Sequence, residues 1–298
     1  MQVCNRDIRI SGRGLRVAKL DADMYHFLSE PEPLLNALRK CDKRIDLFTF
    51  LQRLPETKPQ FNYPMIWDNL AVLSVSTFDE WWNKQIGFKA RNKAKQAEKK
   101  GVVIREIPFD DTLVRGIWQI YNEAPMRQGR PFPHYGKDLE TVYKDEATYL
   151  ESSTFIGAFL GEELIGFIKL TADETGTQAG LMNIVSKLAH RDKSPTNALV
   201  AQAVRSCAAR NIAYLVYSHF AWGERERDNL TEFKERNGFQ RVEIPRYYVP
   251  LTSLGKVALK LGLHRRWIDR LPRPMAEKLR ELRRNWYNRK NQPEQVSA

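Results

Sequence analysis

The chain has 298 residues, 42% hydrophobic and 11% aromatic, with 48 Lys and Arg against 36 Asp and Glu. These values suit a folded chain with a sizeable core and exclude wholesale disorder, and a net charge of +12 favours polyanionic partners: nucleic acid, phosphorylated small molecules or an anionic membrane surface. The three cysteines lack a Cys-x-x-Cys spacing, no run of 18 residues is apolar and no apolar signal segment follows Met1, so a disulfide framework, a zinc site and a membrane span are all unsupported and a reducing, cytoplasmic setting is expected.

Residues 1–75 read as an N-terminal extension or a truncated first half. Strands are expected within 8–20 and at 70–75, and short helices over 32–41 and 46–54, with Pro31, Pro33, Pro55, Pro59 and Pro64 in the loops. A helix opens at Thr77, which makes a capping box with Glu80, and stops at Gly101; its last turns carry Lys89, Arg91, Lys93, Lys95, Lys99 and Lys100. A β-branched strand at 102–107 is followed by an amphipathic helix over 111–123, with Leu113, Ile117, Ile120 and Tyr121 at helical spacing. A loop rich in Pro and Gly covers 124–136, and a second helix covers 137–150. Three strands follow at 154–160, 164–171 and 178–187, the first two joined by a hairpin turn at Gly161. Pro195 starts a helix that reaches Arg210. A strand at 213–218, a short helix over 229–237 ended by Gly238 and a final strand or strand pair over 239–251 complete the order.

That order, β-α-α-β-β-β-α-β-α-β, sets an antiparallel meander before alternating helices and strands. It predicts an α/β (α+β) domain over 76–252, a mixed sheet flanked by helices. Residues 253–298 form a basic tail: from Lys256 onward, twelve Lys and Arg stand against four Asp and Glu. Leu254, Val257, Leu261, Trp267, Leu271, Leu279, Leu282 and Trp286 are interleaved with the cations. A basic amphipathic helix of this kind can meet an anionic membrane, bind RNA or dock on its own domain.

Two segments carry a resemblance. Leu230-x-x-Phe233-Lys234-x-x-Asn237-Gly238-Phe239 resembles the Phe-Lys-x-x-aromatic-Gly stretch near the end of the Fem family, the peptidoglycan-bridge aminoacyltransferases. Arg91-Asn92-Lys93-Ala94 with Ala97-Glu98-Lys99, ahead of Gly101-Val102, resembles that family's basic lead-in. The element order over about 102–251 is similar to that of the GNAT acyl-CoA N-acyltransferase superfamily, of which Fem proteins carry two halves; the first 75 residues are short for a complete first half. The resemblance implies a GNAT-like sheet whose strands at 178–187 and 213–218 part to admit a pantetheine-like arm. It implies an N-acyltransferase or aminoacyltransferase, with acyl-CoA, an acyl carrier protein or an aminoacyl-tRNA as donor. The amine acceptor would be a small molecule or a cell-envelope precursor, met in the cytoplasm or at the inner face of the membrane.

Site candidates follow. GNAT enzymes hold the coenzyme A pyrophosphate on an Arg/Gln-x-x-Gly-x-Gly/Ala loop. Arg191 opens that pattern here, but Ser194 and Thr196 stand at its glycine positions and Pro195 withdraws one N–H. Arg191, Lys193, Ser194, Thr196 and Asn197 therefore make either a phosphate site at a helix N-terminus or an ordinary Ser-Pro helix start. In the loop at 126–136, Arg127, Gln128, Arg130 and Tyr135 can hold an acceptor and His134 can move a proton; the alternative is a surface loop with solvated arginines. Glu123 can take a proton from an ammonium acceptor, or is a surface acid at a helix end. The resemblance marks Lys234 as functional, since a fixed cation stabilises charge developing on a carbonyl oxygen and a leaving group. The alternative for Lys234 is a solvated helix lysine among Glu232, Glu235 and Arg236. No tyrosine lies between Asp228 and Gly238, where GNAT enzymes often place the group that protonates the thiolate. The histidines have no metal-ligand spacing, and neither a Gly-x-Ser-x-Gly elbow nor a Gly-x-x-x-x-Gly-Lys loop occurs. The rival class is a non-enzymatic protein that binds RNA or an anionic membrane on the same fold.

Overall fold

The computed structural model describes residues 1–23, 25–127, 130–221 and 229–264, with Met275 and Lys278. In chain order its N-terminal elements are β1 (Gln2–Val3), β2 (Arg6–Ser11), β3 (Val17–Leu20), α1 (Pro31–Lys40), β4 (Leu47–Leu51) and β5 (Met65–Ser74). Next come α2 (Phe78–Glu80), α3 (Phe88–Lys99), β6 (Val102–Ile107), α4 (Asp111–Tyr121) and the two-residue strands β7 (Met126–Arg127) and β8 (Arg130–Pro131). The remainder is α5 (Leu139–Glu146), β9 (Ser153–Leu160), β10 (Glu163–Ala172), β11 (Gln178–Ser186), α6 (Pro195–Ala209), β12 (Tyr214–Val216), α7 (Asn229–Arg236), β13 (Gln240–Pro250) and α8 (Ser253–Lys260).

Among the described residues, eleven strands form one sheet in the order β1-β2-β3-β4-β13-β5-β12-β11-β10-β9-β6. Its pairs are antiparallel except β3 with β4 and β11 with β12. The mixed sheet flanked by helices matches the expected class. The first 75 residues enter this sheet, because the last strand, β13, lies between β4 and β5.

Two local expectations are corrected. Residues 47–51, expected as helix, are the strand β4, and all five are buried. A run of five apolar residues has no periodicity that separates helix from strand, and burial on both faces of a sheet decides for strand. The single helix expected over 77–100 is broken. Thr77 caps it as expected, accepting from the Glu80 N–H at 3.1 Å, but a wide turn closed by Ile86 N–H to the Trp81 carbonyl at 2.9 Å then interrupts it. The helix restarts after Gly87, whose N–H bonds the Arg236 carbonyl at 2.8 Å; a Cβ there would stand 3.1 Å from the same oxygen. The end of α7 thus occupies the space a side chain would need.

Alternation along the strands divides the core. Ala71 and Leu73 of β5 face α3 and α6, with Leu170, Leu181, Leu199 and Val204. The helix α3 reaches that cluster through Ala90 and Ala97, so small residues let it lie close while its lysines face outward. Leu70 and Val72 point to the other face, with Phe27, Val216 and Ile244. On that face α4 packs Leu113, Ile117 and Ile120 against Phe155 and Phe167. Among the described residues no helix is long and apolar enough to cross a membrane.

A chain of charges crosses the face that holds Leu70. Arg246 of β13 donates to Asp68 of β5 at 2.7 Å and to Asp23, after β3, at 2.8 Å. Asp23 also takes Lys19 at 2.9 Å, and the His219 ring meets Asp68 at 3.2 Å. Burial alone would raise both carboxyls. The His219 hydrogen bond and the Arg246 charge at Asp68, and the Arg246 and Lys19 charges at Asp23, outweigh it and hold both below the ordinary aspartate range. A carboxyl whose pKa folding depresses adds stability that is complete above its unfolded value, about 3.9, and lost as pH falls through the folded value. The protein should therefore lose stability below about pH 4. Arg246→Met should destabilise it by about 3–5 kcal/mol at neutral pH by urea unfolding, because two buried carboxylates lose their cation. It should also move the acid transition to higher pH. Unchanged stability in Arg246→Met would show that the carboxylates are solvated without it.

Candidate functional site

The site is built where two parallel strands separate. β11 and β12 pair at three positions only, Gln178 with Tyr214, Ala179 with Leu215 and Gly180 with Val216. Beyond them the two chains take different partners. β11 continues to Ser186 on β10, whereas the chain after β12 stays with β5 through Tyr217 N–H to Ala71 O at 2.8 Å and Ala71 N–H to Ser218 O at 2.9 Å. Two features accompany the parting. Met182 is an extra residue in β11, since Leu170 pairs Leu181 while Lys169 pairs Asn183; a bulge of this kind bends its strand. On the other side of the sheet from Leu181, the ring of Tyr25 lies on Gly180, where a Cβ would fall 1.8 Å from a ring carbon. The Tyr25 hydroxyl donates to the Leu181 carbonyl at 3.2 Å, satisfying a backbone acceptor just past the last paired residue.

Lys234 belongs to the wall that has left β11. It is 1% exposed, its ammonium donates to the backbone carbonyl of His219, and it stands 4.7 Å from the centre of the Tyr217 ring. A solvated helix lysine would show none of this. The surrounding motif explains the placement. Phe233 and Phe239 stand edge-on to Tyr217 at 6.5 and 5.9 Å. Between them Gly238 turns the chain with φ of 87°, and the Asn237 carbonyl accepts from the Trp81 indole at 2.9 Å. Burial pushes the Tyr217 hydroxyl upward, so it stays neutral. The His219 ring is fixed by Asp68, which joins this wall to the charge chain on β5 and β13.

The other wall is the free length of β11, and Glu123 and Arg127 hold its end. The Arg127 guanidinium donates to Ser186 O at 2.6 Å and Ile120 O at 2.7 Å, meets Glu123 at 3.1 Å and lies over the Phe132 ring at 4.6 Å. Glu123 in turn accepts from the N–H groups of Leu188 and Ala189 at 2.6 and 2.9 Å. Both carboxylate oxygens and both guanidinium ends are thus tied to backbone. The expected acceptor loop docks inward at His134, whose ring stacks on Tyr121 at 4.4 Å; burial, then the Lys137 charge, lowers its pKa, so it is neutral at pH 7. Tyr135 is exposed, Gln128 lies outside the described residues, and so does the side chain of Arg130.

Thr196 reaches the same place, its hydroxyl 3.0 Å from that of Ser186. Ser194 precedes α6 with a left-handed backbone, φ 55°, and its side chain makes no capping bond. Asn197 is buried, while Arg191 is exposed on the turn before the helix. Lys193 pairs with Asp192, as does Lys100 of the lead-in segment. Glu123, Arg127 and Thr196 therefore meet at the end of β11, Arg191 and Lys193 lie on the turn beyond it, and Lys234 belongs to the opposite wall.

Sequence reasoning passed over two groups. One is the Asp68–His219 pair. The other lies beside β11: Glu146 is 1% exposed and accepts from the Tyr121 hydroxyl at 2.7 Å and the Asn183 amide at 2.9 Å. Burial raises its pKa against those hydrogen bonds and the nearby Lys169 charge. Lys169 donates to the Glu146 and Thr148 carbonyls at 2.8 and 2.6 Å, a buried cation closing the last turn of α5. The partners are 21 to 37 residues apart, so no local spacing marks them.

Arg127→Ala should cost about 2–3 kcal/mol in urea unfolding, because charged hydrogen bonds to three groups are lost. Arg127→Lys should recover little, since one ammonium cannot fork to two carbonyls. Equal stability of all three proteins would show that β11 needs no such clasp.

No protein-family model matches the chain, and no curated protein does. Solved structures do match. L-PGS from Bacillus licheniformis superposes with a TM-score of 0.54 at 14% identity, over 85% of this chain and 83% of that one. FemX gives 0.53 at 10% identity, over 80% and 83%. The C-terminal domain of a putative lysylphosphatidylglycerol synthetase from Agrobacterium fabrum gives 0.52 at 12% identity, over 85% and 83%. With its parted parallel strands, the chain has a GNAT-like fold, which it shares with these three structures.

Proposed function

We propose that the protein transfers an acyl or aminoacyl group to an amine. One observation carries this: a buried lysine lies on one wall of an opening between two parallel strands. In amide formation the amine nitrogen attacks the acyl carbon, the carbonyl oxygen gains charge, and the bond to the leaving sulfur or oxygen breaks. The amine sheds a proton and the leaving group takes one. A cation held in a dry site, its direction set by the His219 carbonyl, stabilises the charge on either oxygen or leaving group. Asp68 holds the His219 ring in one orientation, and Lys234 binds the backbone carbonyl of the same residue, so His219 is the group assigned to move a proton. Glu123 and Arg127 act here as positioning residues that keep the free edge of β11 in place.

The donor is an acyl-CoA, an acyl carrier protein or an aminoacyl-tRNA, and the acceptor is a small-molecule or cell-envelope amine. FemX and the synthetase structures, as fold relatives, support the aminoacyl form. Ser194, Pro195 and Thr196 in place of a glycine loop weigh against coenzyme A. A binding protein without catalysis is the second reading, favoured by the outward lysines Lys89, Lys93, Lys95, Lys99 and Lys100.

Native mass spectrometry of the protein from its host should show a co-purified acyl donor, and a turnover assay with that donor tests the site. Lys234→Met should lower kcat by about 10²–10³-fold and leave KM for the acceptor largely unchanged. Methionine fills similar space without a charge, so the fold should survive. Lys234→Arg should rescue little, since guanidinium and ammonium differ in shape. Full kcat in folded Lys234→Met would remove Lys234 from the reaction, and no turnover with any donor class would favour the binding protein.

A further inference from the structure

We propose that α8 is an interfacial anchor by which the protein docks on an anionic lipid bilayer. This is independent of acyl transfer and rests on the way α8 sits on the sheet. The helix is fixed at both ends. Thr252 accepts from the Gly255 N–H at 3.1 Å and donates to Asp46 at 2.9 Å. At the other end Gly262, with φ of 67°, closes the helix through Gly262 N–H to Leu259 O at 3.0 Å and Leu263 N–H to Ala258 O at 2.7 Å.

Its inner face is made of small residues. Gly255 lies so close to Asp46 that a Cβ would fall 1.9 Å from that carbonyl oxygen, and Ala258 is 1% exposed. Leu259 is half-buried, but four other large aliphatics are on the outside: Leu254 is 45% exposed, Val257 52%, Leu261 64% and, just past the turn, Leu263 44%. Leu254, Val257 and Leu261 are three and four residues apart and so share one face. A helix on a water-soluble surface ordinarily does the reverse, packing its leucines and exposing its polar side.

The occupant follows from charge. Exposed Lys256 and Lys260 flank the aliphatic stripe, and from Lys256 onward the sequence holds twelve Lys and Arg against four Asp and Glu. A second copy would bring the same cations against this stripe, and RNA would leave the leucines in water. An anionic bilayer takes both, the aliphatics at the acyl boundary and the lysines at the phosphates.

The test uses the full chain and sedimentation with vesicles, one set of phosphatidylcholine and one an equimolar mixture with phosphatidylglycerol. Binding to the mixture, weak binding to phosphatidylcholine and loss at high salt are expected. Leu254→Asp with Leu261→Asp should lower binding by more than about tenfold, the loss of two buried side chains. Lys256→Glu with Lys260→Glu should lower it and reduce its salt dependence. Thermal unfolding should be unchanged in both pairs, because all four side chains face solvent. Wild-type vesicle binding in the Asp pair overturns the proposal, as does equal binding to both vesicle sets. It is also overturned if the stripe drives self-association, seen as a concentration-dependent dimer that the Asp pair abolishes in the absence of vesicle binding.

Discussion

Everything else in the site depends on the parting of β11 from β12 after three paired residues. Strands that part leave N–H and C=O groups without their ladder partners, and such groups must be satisfied or solvated. The molecule deals with the two walls differently. The β12 side stays paired with β5 along its other edge. The β11 side is held by side chains sent from distant elements: Tyr25 at Leu181, and Arg127 and Thr196 at Ser186. Rigid walls with an unpaired edge between them are what a ligand arm needs, because its own polar groups can complete the bonds the strands forgo.

The charge chain does a related job on a larger scale. Arg246 is almost fully buried and binds two carboxylates from segments on either side of β13. Such a cluster adds less net stability than apolar packing would, but its geometry admits one arrangement of β3, β5 and β13. Because Asp68 also holds His219, the same residues that register the N-terminal strands set the wall on which Lys234 rests.

Much of this was legible in the residues alone, and for identifiable reasons. From Gly101 to Leu251 the elements alternate with clear periods and turn signals, and their order survives in the structure. The segment from Leu230 to Phe239 was singled out by its pattern, and the structure supplies its meaning: two aromatic residues flank Tyr217 and set a lysine between them. What escaped was either short or long-range. β4 is five apolar residues with no period to read. Asp23, Asp68 and Arg246 are separated by up to 223 residues, and nothing near any of them in the chain announces a partner. The sequence marks Glu123 at a helix end and Arg127 on the loop after it as ionisable groups, but which backbone atoms they bind follows only from where β11 ends.

The placement of β13 has a consequence for how the chain is made. Leu51 and Ile66 both pair with Arg246, so β4 and β5 wait for a strand that leaves the ribosome about 180 residues later. At about 5–20 residues per second that delay is on the order of ten seconds or more. Throughout it the facing edges of β4 and β5 are open ladders rich in apolar residues, the kind of edge that recruits other chains. The meander of β9, β10 and β11 has no such wait, being built from neighbours in the chain. Assembly should thus start in the middle of the molecule and finish at its N-terminal strands. A nascent chain truncated before Gln240 carries every strand of the sheet but one, and lacks the strand that joins its two sides.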